Sequence, residues 1–161
     1  MGLDRRSFFS TLGGLIPEEK PERFIRPPGS GETSDFTRCQ SCEASCIGVC
    51  ETAIIRMDEA HTPVLDFSQN GCTYCGECIS ACPNEVLTPD GGAVRMHIAI
   101  DPLGCLAWNG TICSSCKDPC RENAIKFLGL YRPEIDISRC TNCGFCIGVC
   151  PTDAVKTEGM L

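Results

Sequence analysis

The chain has 161 residues, sixteen of them cysteine, and a formal net charge of −7. A chain of this length holds one ordinary domain or two very small ones and buries little apolar surface. Its acidic charge argues against nucleic acid or an anionic membrane as a partner. Because about one residue in ten is cysteine, we expect a disulfide, metal or cluster scaffold, and the cysteine spacing decides among these.

Residues 1–35 contain no cysteine and are predicted to form a flexible or extended N-terminal arm. Proline and glycine residues rule out a long regular element there: Pro17, Pro21, Pro27, Pro28, Gly29 and Gly31. Residues 4–9, which include Arg5 and Arg6, resemble the start of a twin-arginine export signal, but the apolar run at 11–16 is too short for one. No stretch is long enough to span a membrane. We therefore expect a cytoplasmic protein with an uncleaved arm.

Two groups of four cysteines follow the arm. Group one is Cys39, Cys42, Cys46 and Cys50, and group two is Cys72, Cys75, Cys78 and Cys82. Group two, with Pro83 after it, matches the C-x2-C-x2-C-x3-C-P run that holds 4Fe-4S clusters, in which the fourth cysteine binds a second cluster. Group one has three residues where two are expected between its second and third cysteines, and Glu51 replaces the proline.

Two further groups lie in the second part of the chain. Group three is Cys105, Cys113, Cys116 and Cys120, and group four is Cys140, Cys143, Cys146 and Cys150. Group four, with Pro151 after it, matches the cluster-binding run, whereas seven residues separate the first two cysteines of group three. We expect Trp108, within that wide loop, to cover the cluster. The sixteen cysteines thus predict four 4Fe-4S clusters. At least three are expected even if group three does not hold one.

An internal repeat indicates that the four groups are units of one kind. The pentapeptide Cys-Ile-Gly-Val-Cys occurs at 46–50 and again at 146–150, and the groups begin 33 to 35 residues apart. A small-apolar pair follows each group, at 53–54, 86–87, 124–125 and 154–155. Short extended pieces around turns are predicted at 53–55, 63–65, 94–98, 125–127 and 133–137. Each repeat therefore reads as a cluster loop, a helical turn and a strand.

Other uses of these residues fit the pattern less well. Disulfides need an oxidising compartment and bridging geometry, and zinc sites use two separated cysteine pairs rather than three or four cysteines in one loop. His61 and His97 lie in hairpin-like stretches and are interpreted as surface or packing residues. Gly48, Gly76, Gly144 and Gly148 either allow close approach of the backbone to a cluster or serve turns.

The cysteine loops from residue 36 to residue 161 resemble the bacterial two-cluster ferredoxin. The resemblance implies an α+β fold of tandem ferredoxin-like modules, at 36–100 and 101–161, with short helices and hairpins around the clusters. In that family adjacent groups exchange their last cysteine, so groups one and two would pair, as would three and four. A nested arrangement, in which group one pairs with group four and group two with group three, also stays open. The electron-transfer subunits of molybdenum oxidoreductases have this arrangement.

Four-cysteine ligation leaves a cluster no open position for a substrate, so we expect an electron carrier and not an enzyme. Hydrogen bonds to the sulfurs, burial and nearby charge would tune its potential. Four oxidised clusters with their thiolates would each add about −2, for a total of about −15. Redox proteins with a basic docking face are the partners we expect.

Two parts of the chain, the residues before group one and the wide loop of group three, together resemble one family. Arg5 and Arg6, residues 25–28, Gly31, Glu32 and Phe36, and the start of group three at 105–107 resemble the NapF family, ferredoxin-type accessory proteins of periplasmic nitrate reductase systems. The resemblance implies that the chain contacts the precursor of NapA, the catalytic component that carries molybdopterin, before export and supports its maturation or redox loading. Two alternatives stay open: a general electron-transfer module feeding a respiratory oxidoreductase, and a scaffold that hands on a labile group-three cluster.

Overall fold

The computed structural model describes residues 24–160. Regular structure is sparse and consists of helical turns and short strands. The helices are α1 (Ser45–Gly48) and α2 (Glu77–Ser80), with 3-10 turns at Phe36–Cys39 and Pro89–Gly91; the strands are β1 (Ile55–Met57), β2 (Pro63–Leu65), β3 (Met96–Ile100), β4 (Ile125–Leu128), β5 (Tyr131–Ile135) and β6 (Val155–Gly159). This small number of short helices and short strands is consistent with an α+β arrangement.

The strands form three antiparallel pairs. Strand β1 pairs with β2, β4 pairs with β5, and β3 pairs with β6 over five residues. The first two pairs are local hairpins close to the predicted positions: β1 begins two residues later and β5 two residues earlier than predicted, and β6 was not predicted as a separate strand. We call residues 24–93 the first half and 94–160 the second half, because β3 pairs with the last strand. The predicted module boundary at residue 100 instead assigned β3 to the first module.

The segment before group one packs against the first half. The carbonyl of Ile25 accepts a hydrogen bond from Leu65 N at 2.8 Å, and that of Gly29 accepts one from Thr88 N at 2.9 Å. Pro27 is fully buried, which costs no hydrogen bond because proline has no N–H. The prediction of an arm is therefore wrong for residues 24–35, although no long regular element forms there. The Arg5 and Arg6 pair and the export-signal interpretation lie outside the described residues.

The four cysteine groups share a backbone feature that their spacing does not show. Three residues after each fourth cysteine, a non-glycine residue is in the left-handed region, with φ of 53°, 52°, 49° and 49° at Ala53, Glu85, Asn123 and Asp153. Groups one and three, despite their irregular spacing, end in the same turn as groups two and four. The four groups are therefore structural repeats.

A buried apolar pair follows each of these turns. The pairs are Ile54 and Ile55, Val86 and Leu87, Ala124 and Ile125, and Ala154 and Val155, all between 1% and 6% exposed. After group one, the prediction was out by one residue, because Ala53 is the exposed turn residue. These side chains belong largely to one core, which runs through both halves and includes several cysteines. No helix within residues 24–160 has the length and apolar character needed to cross a membrane.

Candidate iron–sulfur cluster sites

Four cavities, each lined by four cysteines, lie along the molecule. Site one is lined by Cys39, Cys42, Cys46 and Cys82, and site two by Cys50, Cys72, Cys75 and Cys78. Site three is lined by Cys105, Cys113, Cys116 and Cys150, and site four by Cys120, Cys140, Cys143 and Cys146. All sixteen cysteines are thus used once, three from one group and the fourth from another.

The exchange of the fourth cysteine follows the tandem arrangement. Cys82 of group two reaches the cavity of group one, and Cys50 of group one reaches that of group two. Groups three and four exchange Cys120 and Cys150 in the same way. In the nested arrangement Cys82 would instead lie in the cavity of group three. The geometry of the thiols therefore favours the tandem alternative.

The irregular loop of group one is accommodated by a single residue. Ala44, at φ 57°, precedes α1 in the left-handed region, the position that Gly76 takes before α2 at φ 80°. The additional residue is absorbed before the helical turn, so Cys46 still enters the cavity. The loop of group one therefore places its three cysteines as the loop of group two does.

The wide loop of group three closes on itself before it reaches its second cysteine. The Asn109 side chain donates a hydrogen bond to the carbonyl of Cys105 at 2.8 Å, and Trp108 Nε1 donates one to the carbonyl of Pro133 at 3.1 Å. Pro133 lines site three, and Trp108 packs against Cys105 and Ala107. Trp108 thus anchors the loop beside the cavity without lining it, and its covering of a cluster stays a prediction.

The four sites are similar in size and in lining. Their volumes, open mouths included, are about 340, 350, 320 and 370 Å³ for sites one to four. Apart from the cysteines, the linings are mainly apolar, as with Met57 and Leu87 in site one or Ile100 and Val155 in site three. Site three is therefore comparable to the others in spite of its unusual loop.

Backbone N–H groups point at the sulfurs of the fourth cysteines. The amides of Ala124 and Ala154 lie 3.3 and 3.2 Å from the Sγ atoms of Cys120 and Cys150, and Leu87 N lies 3.5 Å from that of Cys82. These donors come from the buried pair after each left-handed turn. Hydrogen bonds of this kind stabilise negative charge on the sulfur. The turn shared by the four groups therefore has an electrostatic function as well as a structural one.

The same donors change the acidity of the thiols. At Cys50 and Cys150, burial opposes ionisation, but backbone amides and the hydroxyls of Thr52 and Thr152 outweigh it and lower the pKa. The third cysteine of each group has other cysteines around it; it is buried in groups two, three and four and half-buried in group one. Burial first, and the neighbouring thiols second, raise the pKa of Cys46, Cys78 and Cys116 to about 11 and that of Cys146 to about 12.

These features match what a 4Fe-4S cluster requires. Four thiolates gathered around one mainly apolar cavity are unfavourable by themselves, and cationic iron would offset their charge. Sulfur-only donor sets are typical of iron–sulfur clusters. No cysteine is in a disulfide, and within residues 24–160 no group of His, Cys, Asp or Glu is placed to hold a single metal ion. The residues therefore fit clusters of this kind.

Sequence reasoning missed the residues that join the two halves. Tyr74 Oη donates a hydrogen bond to the carbonyl of Thr141 at 2.5 Å, and Cys72 N donates one to that of Cys143 at 2.7 Å. His61 and His97, interpreted as surface or packing residues, are exposed. Tyr74 was missed because nothing in a cysteine spacing indicates which loop faces which.

Two family models match the chain. A 4Fe-4S dicluster domain matches residues 33–86, which include groups one and two, and a 4Fe-4S binding domain matches residues 133–156, which include group four. Together with the sixteen cysteines, these matches show that the chain carries multiple 4Fe-4S clusters, as predicted.

Curated relatives cover most of the chain. The ferredoxin-type protein NapF of Escherichia coli strain K12 is 35% identical over 145 residues, 86% of this chain and 87% of the relative. NapF of Haemophilus influenzae strain Rd is 36% identical over 168 aligned residues, 98% of this chain and 95% of the relative. The methylamine utilization ferredoxin-type protein MauM of Methylobacillus flagellatus is 30% identical over 163 residues, 85% of this chain and 69% of the relative. The chain therefore belongs to the NapF family of ferredoxin-type proteins.

Proposed function

We propose that the sixteen cysteines hold four 4Fe-4S clusters, one in each of sites one to four, and that the protein transfers single electrons between redox proteins. The observation that carries the proposal is the set of four cavities of similar size, each with a complete set of four cysteines. A bound cluster supplies one-electron redox chemistry. The chain supplies the thiolates, the amide donors and an apolar lining that limits contact with water.

Iron and sulfide analysis of anaerobically purified protein tests this assignment. We expect about sixteen iron atoms and as many acid-labile sulfides per chain. A preparation with zinc and no labile sulfide would contradict the proposal. A value near twelve would point to one empty site, and alkylation of Cys105, Cys113 and Cys116 would identify it as site three.

We further propose that the protein acts in the cytoplasm on the precursor of a periplasmic nitrate reductase catalytic subunit of the NapA type. Membership of the NapF family supports this role, which would be maturation or redox loading before export. The tandem organisation in two ferredoxin-like modules is part of the same proposal. Electron hand-over requires only a brief contact guided by charge, so we expect a weak complex that loosens as salt rises.

A second function is favoured by the relatives with other names. The similarity to MauM, and to a component of an ion-translocating oxidoreductase complex of Methanosarcina acetivorans at 32% identity over 199 aligned residues, favours a general electron-transfer module. Such a module would feed a respiratory oxidoreductase and would have no role in assembly.

An anaerobic pull-down with the nitrate reductase precursor separates the two functions. Wild-type protein is compared with a variant in which Cys140 and Cys143 are replaced by alanine, which empties site four, and with the exposed-residue variant Val149→Ala as a control. We expect the precursor to be recovered with wild type and Val149→Ala and less with the double variant. Equal recovery with all three would show that docking ignores the clusters, and recovery with none would favour the general carrier.

A further inference from the structure

The contact between the two halves joins two cluster sites directly. Tyr74 lines site two and hydrogen-bonds to Thr141, which lines site four. Cys72 and Cys143 line the same two sites and are joined by a backbone hydrogen bond of 2.7 Å. The loop of group two therefore lies directly against the loop of group four.

Glycine makes this close approach possible. A Cβ atom at Gly71 would lie 2.6 Å from the carbonyl oxygen of Cys143, and one at Gly144 would overlap the ring of Phe67. Phe67 is 5% exposed and belongs to the first half, so its ring has little freedom to move away. A Cβ at Gly148 would overlap the carbonyl oxygen of Ser68. Three glycines thus let the first half approach the group-four loop at backbone distance.

The corresponding glycines in the first half have open space around them. Gly76 occupies the position of Gly144 in the group-two loop, with φ of 80° against 81°, and no atom lies within 4 Å of a Cβ placed there. Gly48 occupies the position of Gly148 in the repeated pentapeptide and is equally open. The close packing is therefore specific to the contact between the halves and is not a general property of the loops.

Within each half, the two sites are neighbours because of the exchanged cysteines. Cys46 and Cys50 are four residues apart and line sites one and two, and the turns that carry Cys46 and Cys78, α1 and α2, contact each other. Cys116 and Cys120 line sites three and four in the same way. Site one is thus next to site two, and site three is next to site four.

We propose that the four cluster sites form one series, in the order one, two, four, three, and that the Tyr74, Gly71 and Gly144 contact is the link that makes the series continuous. The proposal rests on the cluster assignment made above. It places the wide group-three loop, which lines site three, at one end of the series and the group-one loop, which lines site one, at the other. A donor redox protein that loses one electron and an acceptor redox protein that gains it can then dock at opposite ends.

Spin–spin interaction between reduced clusters tests the order. The inner-pair variant keeps clusters only in the inner sites two and four. It replaces Cys42 and Cys113 by alanine, which empties sites one and three and leaves about eight iron atoms. The outer-pair variant replaces Cys75 and Cys143 by alanine and empties sites two and four. After dithionite reduction, we expect the electron paramagnetic resonance spectrum of the inner-pair variant to show broadening or splitting from a neighbouring spin, and that of the outer-pair variant to lack it. Interaction in the outer-pair variant, or none in the inner-pair variant, would overturn the order.

A matched glycine pair in the otherwise intact chain tests the link without removing a ligand. Gly144→Ala adds the Phe67 overlap and the strain of an L-residue at positive φ, while Gly76→Ala adds only the strain. We expect Gly144→Ala to weaken the interaction between sites two and four. Gly76→Ala, which strains the loop of site two itself, should shift only the signal of that site and retain the interaction. Identical spectra for the two variants would refute the proposed link.

Iron analysis of every variant keeps the two proposals apart. If wild-type protein lacks about sixteen iron atoms, the cluster assignment fails. If wild type and both glycine variants hold full iron and only the interaction is absent, the assignment stands and the serial order fails. If Gly144→Ala does not fold, Tyr74→Phe, which removes the hydroxyl that bonds to Thr141 and keeps the ring, replaces it in the same comparison.

Discussion

The two halves of the molecule repeat the same cysteine loops, but the segment that precedes the loops is held differently in each. In the second half, β3 pairs with β6 through a regular antiparallel ladder. In the first half, the segment at 24–35 contains two consecutive prolines, which cannot donate to a ladder. Isolated backbone hydrogen bonds at Ile25 and Gly29, together with the side chain of Arg26, hold that segment instead.

Arg26 is the residue that fixes the segment. Its Nη1 donates to Thr62 Oγ1 at 2.5 Å and to the carbonyl of Pro63 at 3.0 Å, and it lies 3.5 Å from Asp58 Oδ2. Its guanidinium also lies over the ring of Phe36, 4.6 Å from the centroid. The cluster loops therefore tolerate two different closures, one by a strand ladder and one by isolated backbone hydrogen bonds with a partly buried side-chain network.

The largest expected effect comes from the cysteines that both halves share letter for letter. Cys50→Ala and Cys150→Ala should each lower the iron content by about four atoms per chain. In the first variant, Cys72, Cys75 and Cys78 should become reactive to alkylation, and in the second, Cys105, Cys113 and Cys116. Mass spectrometry of the alkylated chains is the measurement.

The exposed valines of the same pentapeptides provide the control. Val49→Ala and Val149→Ala should retain full iron, because these side chains are 39% and 43% exposed. If Cys50→Ala instead exposed the cysteines of group four, the nested pairing would be correct and the halves would not be separate units.

A smaller effect is expected from removing the closure of the first half. Arg26→Ala leaves the carboxylate of Asp58, whose side chain is 6% exposed, without its cation and should cost about 1–3 kcal/mol. We expect site one to lose its visible absorbance at a lower temperature than in wild type. Arg95→Ala is the control, because Arg95 pairs with Glu32, which is 82% exposed, and such pairs contribute about 0–1 kcal/mol. Equal midpoints for the two variants would show that Arg26 does not hold the half together.

The smallest effect is a dependence on pH that belongs to the first half. Burial opposes ionisation of Asp58, but the Thr62 hydroxyl and amide, and then Arg26, more than offset it and lower its pKa. A folded-state pKa below the unfolded value of about 3.9 stabilises the fold above that pH, and the contribution is lost as pH falls through the folded pKa. The thermal unfolding midpoints of wild type and Asp58→Asn should therefore become equal at acid pH. The difference between them should increase towards neutral pH. A constant gap for Asp58→Asn across this pH range would exclude the titration of Asp58 as the cause.

The sequence predicts the loops well because their chemistry is local. Spacing alone groups the sixteen cysteines, and the repeated pentapeptide marks groups one and four as units of the same kind. The hairpins at β1–β2 and β4–β5 follow from turn residues between short apolar runs. The apolar pair after group one was misplaced by one residue because only the backbone shows that Ala53 takes the left-handed turn.

The sequence predicts poorly whatever depends on distant packing. Composition correctly excludes a regular element at 24–35, but it does not show that Pro27 is buried or that Arg26 reaches Asp58, 32 positions along the chain. Gly76 and Gly144 look alike in sequence, yet only Gly144 has Phe67 against it. Contacts of this type are set by the relative position of the halves, which no local pattern encodes.

The exchange of fourth cysteines has a consequence for the order in which the protein can be assembled during synthesis. Site one combines Cys39 with Cys82, and site two needs both Cys50 and Cys78, so neither set of four is complete until group two has been translated. The entropy that the chain loses when a cluster closes such a loop increases only slowly with the length of the loop. The first half can therefore acquire both clusters while the second half is still being made, whereas sites three and four must wait for Cys150 and Cys146, close to residue 160. Cluster insertion is expected to proceed in two steps, each supplying a pair.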